Sequence, residues 1–215
     1  MPTRRTYAQY CGVARALDVV GERWTLLIVR DLLLGPRRYS EFLRGLPGIT
    51  TNLLAKRLRE MEEAGLIERL RGGASEAGHT YRLTPLGLGL EPIVQSLAQW
   101  GWHSMDAPRK AEMRQLEWML VVLRPRYRGG VTLRVELVAD GAPYRMLLDG
   151  KRAEISRGEV AAPDLRLRGT SAALYRMFRE PPARGRSPSG VEVEGPVDSV
   201  RQLVGSFAVD ELTFG

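Results

Sequence analysis

A short stretch of the chain combines hydrogen-bond donors and positive charge at a spacing that one helix would place on a single side. These residues are Thr51, Asn52, Lys56 and Arg59. Apolar residues recur between them at helical intervals and would be buried on the opposite side: Ile49, Leu54, Leu58 and Met61. A helix that exposes donors and positive charge in its first turns suits the major groove of DNA. Asn52 is the best candidate for reading a base, because a carboxamide can form two hydrogen bonds with adenine.

The sequence around this recognition helix, residues 50–64, predicts a helix-turn-helix. Pro47-Gly48 predicts the turn, and Thr50 is an N-cap at a helix N-terminus that can also bind phosphate. Ser40 is predicted to cap the preceding short helix over residues 41–46. Earlier helices are predicted over residues 11–20 and 23–34.

After the recognition helix, the apolar pattern predicts two short strands at residues 66–70 and 80–83. The glycine-rich segment between them, residues 71–79, is typical of the hairpin tip that is called a wing. Wings lie along the DNA backbone or in the minor groove, where Arg71 and His79 would make contacts. Thr84-Pro85 then predicts the N-cap and the first position of a long helix.

The candidate DNA-contacting residues come from the start of the helix-turn-helix, the recognition helix and the wing. They are Arg37, Arg38, Ser40, Thr50, Thr51, Asn52, Lys56, Arg57, Arg59, Arg71 and His79. Some of the basic residues have a structural alternative. Arg57 would pair with a glutamate of its own helix and never touch DNA, while Arg37 and Arg38 would be solvated charges before a helix.

Several segments, in this order, resemble the HxlR family of bacterial winged-helix transcription regulators over about residues 10–104. They are Cys11 and residues 16–28 (ALDVVGERWTLLI), 35–42 (GPRRYSEF), 46–50 (LPGIT), 54–67 (LAKRLREMEEAGLI) and 81–87 (YRLTPLG). The resemblance implies a winged helix that binds DNA. It also implies a homodimer built by the first helix and the long helix after the wing.

A twofold dimer is expected on physical grounds as well. One recognition helix buries little DNA surface, whereas two would lie about 34 Å apart, one turn of duplex. An apolar stripe that begins at Leu86 runs along the long helix, and its later residues are the candidate interface: Leu90, Ile93, Leu97 and Trp100. The alternative is that this stripe packs inside its own domain.

The predicted pattern changes near residue 108 from mostly helical to a mixture of helices and strands, which indicates two domains, residues 1–108 and 109–215. The second half predicts an α+β domain with a mainly antiparallel sheet. Its features are a helix over residues 112–123, hairpin turns at Asp140-Gly141 and Asp149-Gly150, and helices that begin with Ser171 as cap and at Asp198.

This order, and above all residues 163–174 and 191–200, resembles the sterol carrier protein type-two-like domain over about residues 113–210. In its lipid-carrying members that fold encloses an apolar tunnel. The resemblance therefore implies an effector pocket or an added dimer contact. The candidate lining residues are Trp118, Tyr144, Met146, Met177, Phe178 and Phe207. The alternative is that they pack in an ordinary core.

The single cysteine, Cys11, is a candidate redox sensor, because some HxlR-family members respond to oxidants through a cysteine at this place. Arg15, one turn further on, would favour the thiolate, and a disulfide would have to join two chains. The alternative is a small buried apolar residue. One cysteine excludes an internal disulfide framework and fits a reducing compartment.

Composition narrows the function classes further. The net charge of +7 fits an anionic partner but is spread over both halves, so it does not show which half meets nucleic acid. The two histidines are far apart and no phosphate loop or nucleophile motif is present, so the sequence gives an enzyme no support and predicts neither cofactor nor metal. No apolar run approaches the roughly 20 residues that span a bilayer, and we expect a cytoplasmic protein without membrane contact.

The sequence therefore predicts a homodimeric DNA-binding transcription regulator, by preference a repressor, that reads a pseudo-palindromic operator. An apolar small molecule in the second half would control it. The alternative is a carrier or sensor of apolar molecules whose winged helix serves mainly for dimerisation. The donors predicted on the open side of the recognition helix argue against that alternative.

Overall fold

The computed structural model describes residues 6–71, 79–102 and 115–208. The chain divides into two compact units, residues 1–94 and 95–215. The domain boundary predicted near residue 108 falls within residues 103–114, outside the described residues, and it stays a prediction. None of the described helices is long and apolar enough to cross a membrane.

The first unit is a winged helix, as the sequence predicted. Its helices are α1 (Gly12–Val20), α2 (Thr25–Leu32), α3 (Tyr39–Gly45), α4 (Thr51–Glu63), α5 (Pro85–Leu88) and α6 (Glu91–Trp102), the last of which continues into the second unit. Its strands are β1 (Arg37–Arg38), β2 (Ile67–Arg71) and β3 (His79–Leu83), which form an antiparallel sheet in the order β1-β3-β2. Strand β1 was not predicted from the sequence.

The core of this unit forms where the predicted apolar positions meet. Leu54, Leu58 and Met61 of α4 are buried. Phe42 of α3 is fully buried and meets Tyr81 of β3 edge to face, with 6.2 Å between the ring centroids. This ring contact joins the helix-turn-helix to the sheet.

The approach of α5 to Leu66, the residue before β2, depends on a glycine. A Cβ at Gly87 would lie 2.0 Å from the carbonyl oxygen of Leu66, so no other residue allows this packing. Thr84 is the predicted N-cap: its hydroxyl accepts from the Gly87 N–H at 3.2 Å and donates to the Gly65 carbonyl at 2.5 Å.

Two predictions about the helices of this unit were wrong. Ser40 does not cap α3, which begins one residue earlier, and the Arg38 N–H at the cap position donates to the Glu41 carboxylate at 2.6 Å. The long helix predicted after Thr84 is broken between α5 and α6. Pro92 accounts for the break, because it has no N–H to donate to Leu88 in a continuous helix, whereas it fits the first turn of a new one.

The second unit contains a five-stranded sheet in the order β6-β5-β4-β7-β8. The strands are β4 (Thr132–Ala139), β5 (Ala142–Asp149), β6 (Ala153–Arg157), β7 (Leu165–Gly169) and β8 (Val191–Glu194). The helices are α7 (Leu116–Leu123), which a 3₁₀ turn (Arg124–Arg126) follows, α8 (Ser171–Arg179) and α9 (Val197–Gly205). Alternate strand residues such as Val135, Leu137 and Met146 are fully buried and form the core with the apolar sides of the helices.

The hairpin predicted at Asp140-Gly141 is confirmed. Both residues have positive φ, 49° and 81°, as a two-residue turn of type I′ requires. The mainly antiparallel sheet, however, contains a parallel pair, β4 with β7, so the sheet is mixed. Helix α8 is capped by Thr170 and not by Ser171, since the Thr170 hydroxyl accepts from the Ala173 N–H at 3.1 Å. The likeness to sterol carrier domains stays a prediction.

A crossover, residues 158–164, connects β6 to β7 past β5 and β4. Glu136 of β4 lies on the sheet face opposite to Val135 and Leu137, yet it is only 5% exposed. Its carboxylate accepts from the Val160 N–H at 2.8 Å and from Arg166 at 2.5 Å. The Val160 hydrogen bond in particular, with help from Arg166 and against the effect of burial, holds the pKa of Glu136 below its usual value.

Candidate nucleic-acid interface

The recognition helix α4 has the two sides that the sequence predicted. Thr51, Asn52, Lys56 and Arg59 are exposed, while Leu54, Leu58 and Met61 are buried. Asn52 is the only asparagine of the chain. Its carboxamide lies on this exposed side of α4. The Lys56 ammonium lies 3.8 Å from the Glu60 carboxylate, one turn later in the helix. Because this ion pair is exposed and therefore weak, the Lys56 ammonium can still bind a phosphate.

Local contacts fix the N-terminus of α4. Gly48 takes a φ of 89° in the turn before the helix, a conformation that favours glycine. The Thr50 hydroxyl accepts from the Leu53 N–H at 3.3 Å, which confirms the predicted N-cap. The Tyr39 hydroxyl of α3 donates to the Thr51 carbonyl at 2.6 Å. The first turn of α4, which carries Thr51 and Asn52, is therefore tied to the preceding helix.

Two arginines of the candidate set are buried and do not fit a DNA contact. Arg57 is 5% exposed, and its guanidinium pairs with Glu60 at 2.6 Å and with Glu22 at 3.0 Å. Arg37 is 2% exposed and donates from Nε to the Asp31 carbonyl at 2.8 Å. Since both guanidiniums are turned into the protein, the structural alternative holds for Arg57, and Arg37 is neither a DNA contact nor a solvated charge.

The remaining candidates before α4 are on the surface. Arg38 and Ser40 are exposed at the start of α3, and Thr50 is exposed at its cap position. Arg44, which the sequence analysis missed, is exposed on α3 four residues after Ser40, so both lie on one side of that helix. The spacing of four residues between Ser40 and Arg44, about one helical turn, was the sequence signal that would have indicated Arg44.

The strands of the wing carry a second missed residue. Arg71 pairs with His79, and Arg69 pairs with Tyr81, across the β2–β3 ladder. Because directly opposed residues share a sheet face, and alternate residues of one strand share it too, Arg69 and His79 belong to the same face as Tyr81. Arg69 and His79 are exposed. The wing tip, residues 72–78, and the side chain of Arg71 lie outside the described residues.

Comparison with known proteins supports this interpretation of the first unit. A family model for the HxlR-like helix-turn-helix matches residues 19–109. The HTH-type transcriptional regulator YkvN of Bacillus subtilis is 40% identical over 93 residues, which are 43% of this chain and 79% of YkvN. The chain belongs to the HxlR-like helix-turn-helix family.

Other HxlR-like relatives match the same part of the chain. An HTH-type transcriptional regulator of Mycobacterium tuberculosis is 43% identical over 97 residues, 45% of this chain. The match spans only 61% of the length of that relative. Among solved structures, the redox regulator HypR in its oxidised form is 35% identical and covers 45% of this chain and 100% of its own, with a TM-score of 0.43.

Cys11 stands at the N-cap position of α1 and is exposed, so it is not the small buried residue of the alternative interpretation. The nearby backbone N–H groups of Ala14 and Val13, at the start of α1, lower the pKa of its thiol. The predicted cause, Arg15, is wrong: its guanidinium lies 4.0 Å from Asp18 and does not contribute to the shift.

The HxlR-like match ends at residue 109, and the ligand-lining candidates of the second unit all lie beyond it. Tyr144, Met146, Met177, Phe178 and Phe207 are buried, and Trp118 is half-buried. The rings of Phe178 and Phe207 meet edge to face at 6.2 Å, and Tyr127 packs on Phe207 at 5.4 Å. This is the packing of an ordinary core.

Surface cavities of the second unit involve other residues. One of about 460 Å³ is lined by Arg184, Asp198, Arg201 and Gln202. Another, of about 540 Å³, includes Leu133, Leu147 and Arg152. Neither of these two cavities is lined by the six predicted ligand-binding residues.

Proposed function

We propose that this HxlR-like protein is a homodimeric transcription regulator that binds double-stranded DNA through α4. The observation that carries the proposal is the exposed side of α4, where Asn52 stands between Thr51 and the cationic Lys56 and Arg59 on a helix with a capped, anchored N-terminus. The relatives that match this unit are named HTH-type transcriptional regulators, which supports the same function.

Each exposed residue has a defined task in this proposal. Asn52 reads a base edge in the major groove, and the Thr50 end of α4 receives a phosphate. Lys56 and Arg59 of α4 and Arg38 and Arg44 near α3 neutralise phosphates on either side. In the wing, Arg69 and His79 contact the backbone or the minor groove.

The dimer is supported by apolar side chains that one chain leaves in water. On α1 and just before it, Tyr10, Val13 and Leu17 are 106%, 68% and 43% exposed. On α6, Ile93, Leu97 and Trp100 are 44%, 45% and 75% exposed in the single chain. Apolar faces of this extent are typical of interfaces. A second copy with the same faces would cover them and place two α4 helices on one pseudo-palindromic operator.

Repression and control by an apolar small molecule complete the proposal. A dimer seated on a promoter excludes other proteins from the same DNA, so repression is the simplest outcome. The proposed control by an effector rests on the presence of a second unit in the same chain as the winged helix. We expect an effector to open the buried aromatic core and to change DNA affinity. Apolar compounds that bind without any change in DNA affinity would remove this part of the proposal.

The proposed function is tested by titrating the purified protein into DNA from upstream of its own gene. Unrelated DNA serves as competitor, and the salt concentration is varied. We expect tight binding that resists the competitor and weakens as salt rises. If an equal mass of unrelated DNA abolishes the binding, sequence-specific regulation is rejected. That result would favour the alternative, a carrier of apolar molecules whose winged helix serves mainly for dimerisation.

A further inference from the structure

Arg57 is the least expected residue of the recognition helix. It lies on the buried side of α4 beside Leu54, Leu58 and Met61, and its side chain is only 6% exposed. Arginine is almost never fully buried unless it is paired. An apolar residue of similar size would satisfy the core at this position without any desolvation of charge.

The geometry around Arg57 joins two parts of the fold. One guanidinium nitrogen donates to Glu60 at 2.6 Å, within α4, and the other donates to Glu22 at 3.0 Å, 35 residues earlier. Glu22 directly follows Gly21, the C-cap of α1, whose N–H donates to the Leu17 carbonyl at 2.9 Å. Arg57 therefore links α4 to the end of α1.

The arrangement is not optimised for stability. Within the described part of the chain, Nε of Arg57 is buried without a hydrogen-bond partner. A buried donor that is left unpaired destabilises the folded state, and a buried ion pair is often no better than an apolar contact. In some proteins a buried ionic group of this kind fixes one particular geometry.

We propose that Arg57 is a positioning residue, which fixes the orientation of α4 relative to α1 through Glu22 and so sets where Asn52 and its neighbours meet DNA. This inference rests on the proposed function. Helix α1 carries the exposed Val13 and Leu17, which belong to the proposed dimer interface. The Arg57–Glu22 pair is then the contact through which the dimer geometry reaches the recognition helix.

The test compares Glu22→Ala, Arg57→Met and the double variant. The matched control is Glu63→Ala, which removes the same charge from an exposed position of α4. The probe is a duplex that the wild-type protein selects from a random-sequence library, and a scrambled duplex measures non-specific binding. For each variant, the melting temperature and the salt dependence of binding are recorded beside the two affinities.

We expect Glu22→Ala and Arg57→Met each to reduce the ratio of specific to non-specific affinity about tenfold, with the double variant no worse than the single ones. The salt dependence should stay unchanged, because Arg57 touches no phosphate. Glu63→Ala should retain the wild-type ratio. Since Glu22 is 57% exposed, its replacement is expected to leave the fold intact, which separates positioning from stability.

Two outcomes would overturn the proposal. If Glu22→Ala retains the wild-type ratio of specific to non-specific affinity, as the control Glu63→Ala should, the Arg57–Glu22 pair does not position α4. Arg57→Met that loses about one unit of salt slope would show that Arg57 contacts phosphate directly. If the wild-type protein selects no duplex at all, the proposed function itself fails, and that failure is distinct from either of these.

Discussion

At the scale of single residues, we expect the exposed side of α4 to divide into residues that read sequence and residues that supply charge. Asn52 and Lys56 are one helical turn apart on this side, both exposed and both within the first two turns. Their chemistry differs, since a carboxamide bonds a base edge and an ammonium bonds any phosphate. The two should therefore fail in different ways when they are replaced.

Asn52→Ala should weaken binding to a selected duplex by about 1–3 kcal/mol and leave the affinity for scrambled DNA and the salt slope unchanged. Lys56→Ala should weaken binding to both duplexes alike and reduce the salt slope by about one. Lys151→Ala, an exposed lysine of the second unit, is the control. Fluorescence anisotropy over a salt series measures all three. Equal effects of the two α4 variants on both duplexes would contradict the assignment.

The thiol of Cys11 gives a second prediction for a single residue. Because N–H groups at the start of α1 lower its pKa, the thiolate should form at a lower pH in the folded protein than in the unfolded chain. The rate of alkylation by iodoacetamide, measured against pH, reports this difference directly. The same series in concentrated urea is the reference, and coincident profiles would contradict the prediction.

At the scale of elements, capping determines where α4 begins. The Thr50 hydroxyl accepts a hydrogen bond from the Leu53 N–H, whereas no such contact orders the exposed Thr51 hydroxyl among the described residues. Thr50→Ala should lower the free energy of unfolding by about 1 kcal/mol, and Thr51→Ala by less. Urea unfolding followed by circular dichroism compares them. Equal losses would show that the cap does not stabilise α4.

The anchored crossover of the second unit makes a prediction about acid. The folded-state pKa of Glu136 lies below its unfolded value, so its stabilisation is complete above the unfolded pKa and is lost as the pH falls through the folded pKa. Glu136→Gln should cost about 1–3 kcal/mol at neutral pH and progressively less in acid. Urea unfolding over a pH series tests this, with the exposed Glu159→Gln as control. A cost that does not change with pH would contradict it.

The elements show which features the sequence could predict. Helix α4 followed from the apolar spacing of Leu54, Leu58 and Met61 and from Thr50, all of which are local signals. The burial of Arg57 did not, because its partner Glu22 lies 35 residues away and only tertiary packing brings them together. Pro92 was a local signal for the break before α6. The apolar stripe continues across this break, however, and favoured the prediction of one long helix. The parallel pairing of β4 with β7 depends on a crossover that no local pattern encodes.

At the scale of the whole molecule, the exposed apolar residues of α1 and α6 support the proposed dimer. A charge on α6 should abolish association, because a buried unpaired carboxylate is far more costly than the loss of one leucine. Leu97→Glu should therefore give a molar mass near 24.0 kDa by light scattering, whereas the wild type gives twice that value. Gln99→Glu adds the same charge to an exposed polar position of α6 and should remain dimeric. A wild-type protein that is monomeric at micromolar concentration would contradict the proposed dimer.

A hydroxyl-radical footprint on DNA selected by the protein tests the proposal that two copies of α4 read one duplex. We predict two protected regions with centres about 10 base pairs apart, related by approximate twofold symmetry, and their joint loss with Asn52→Ala. A single protected region, or protection that does not depend on Asn52, would contradict the account.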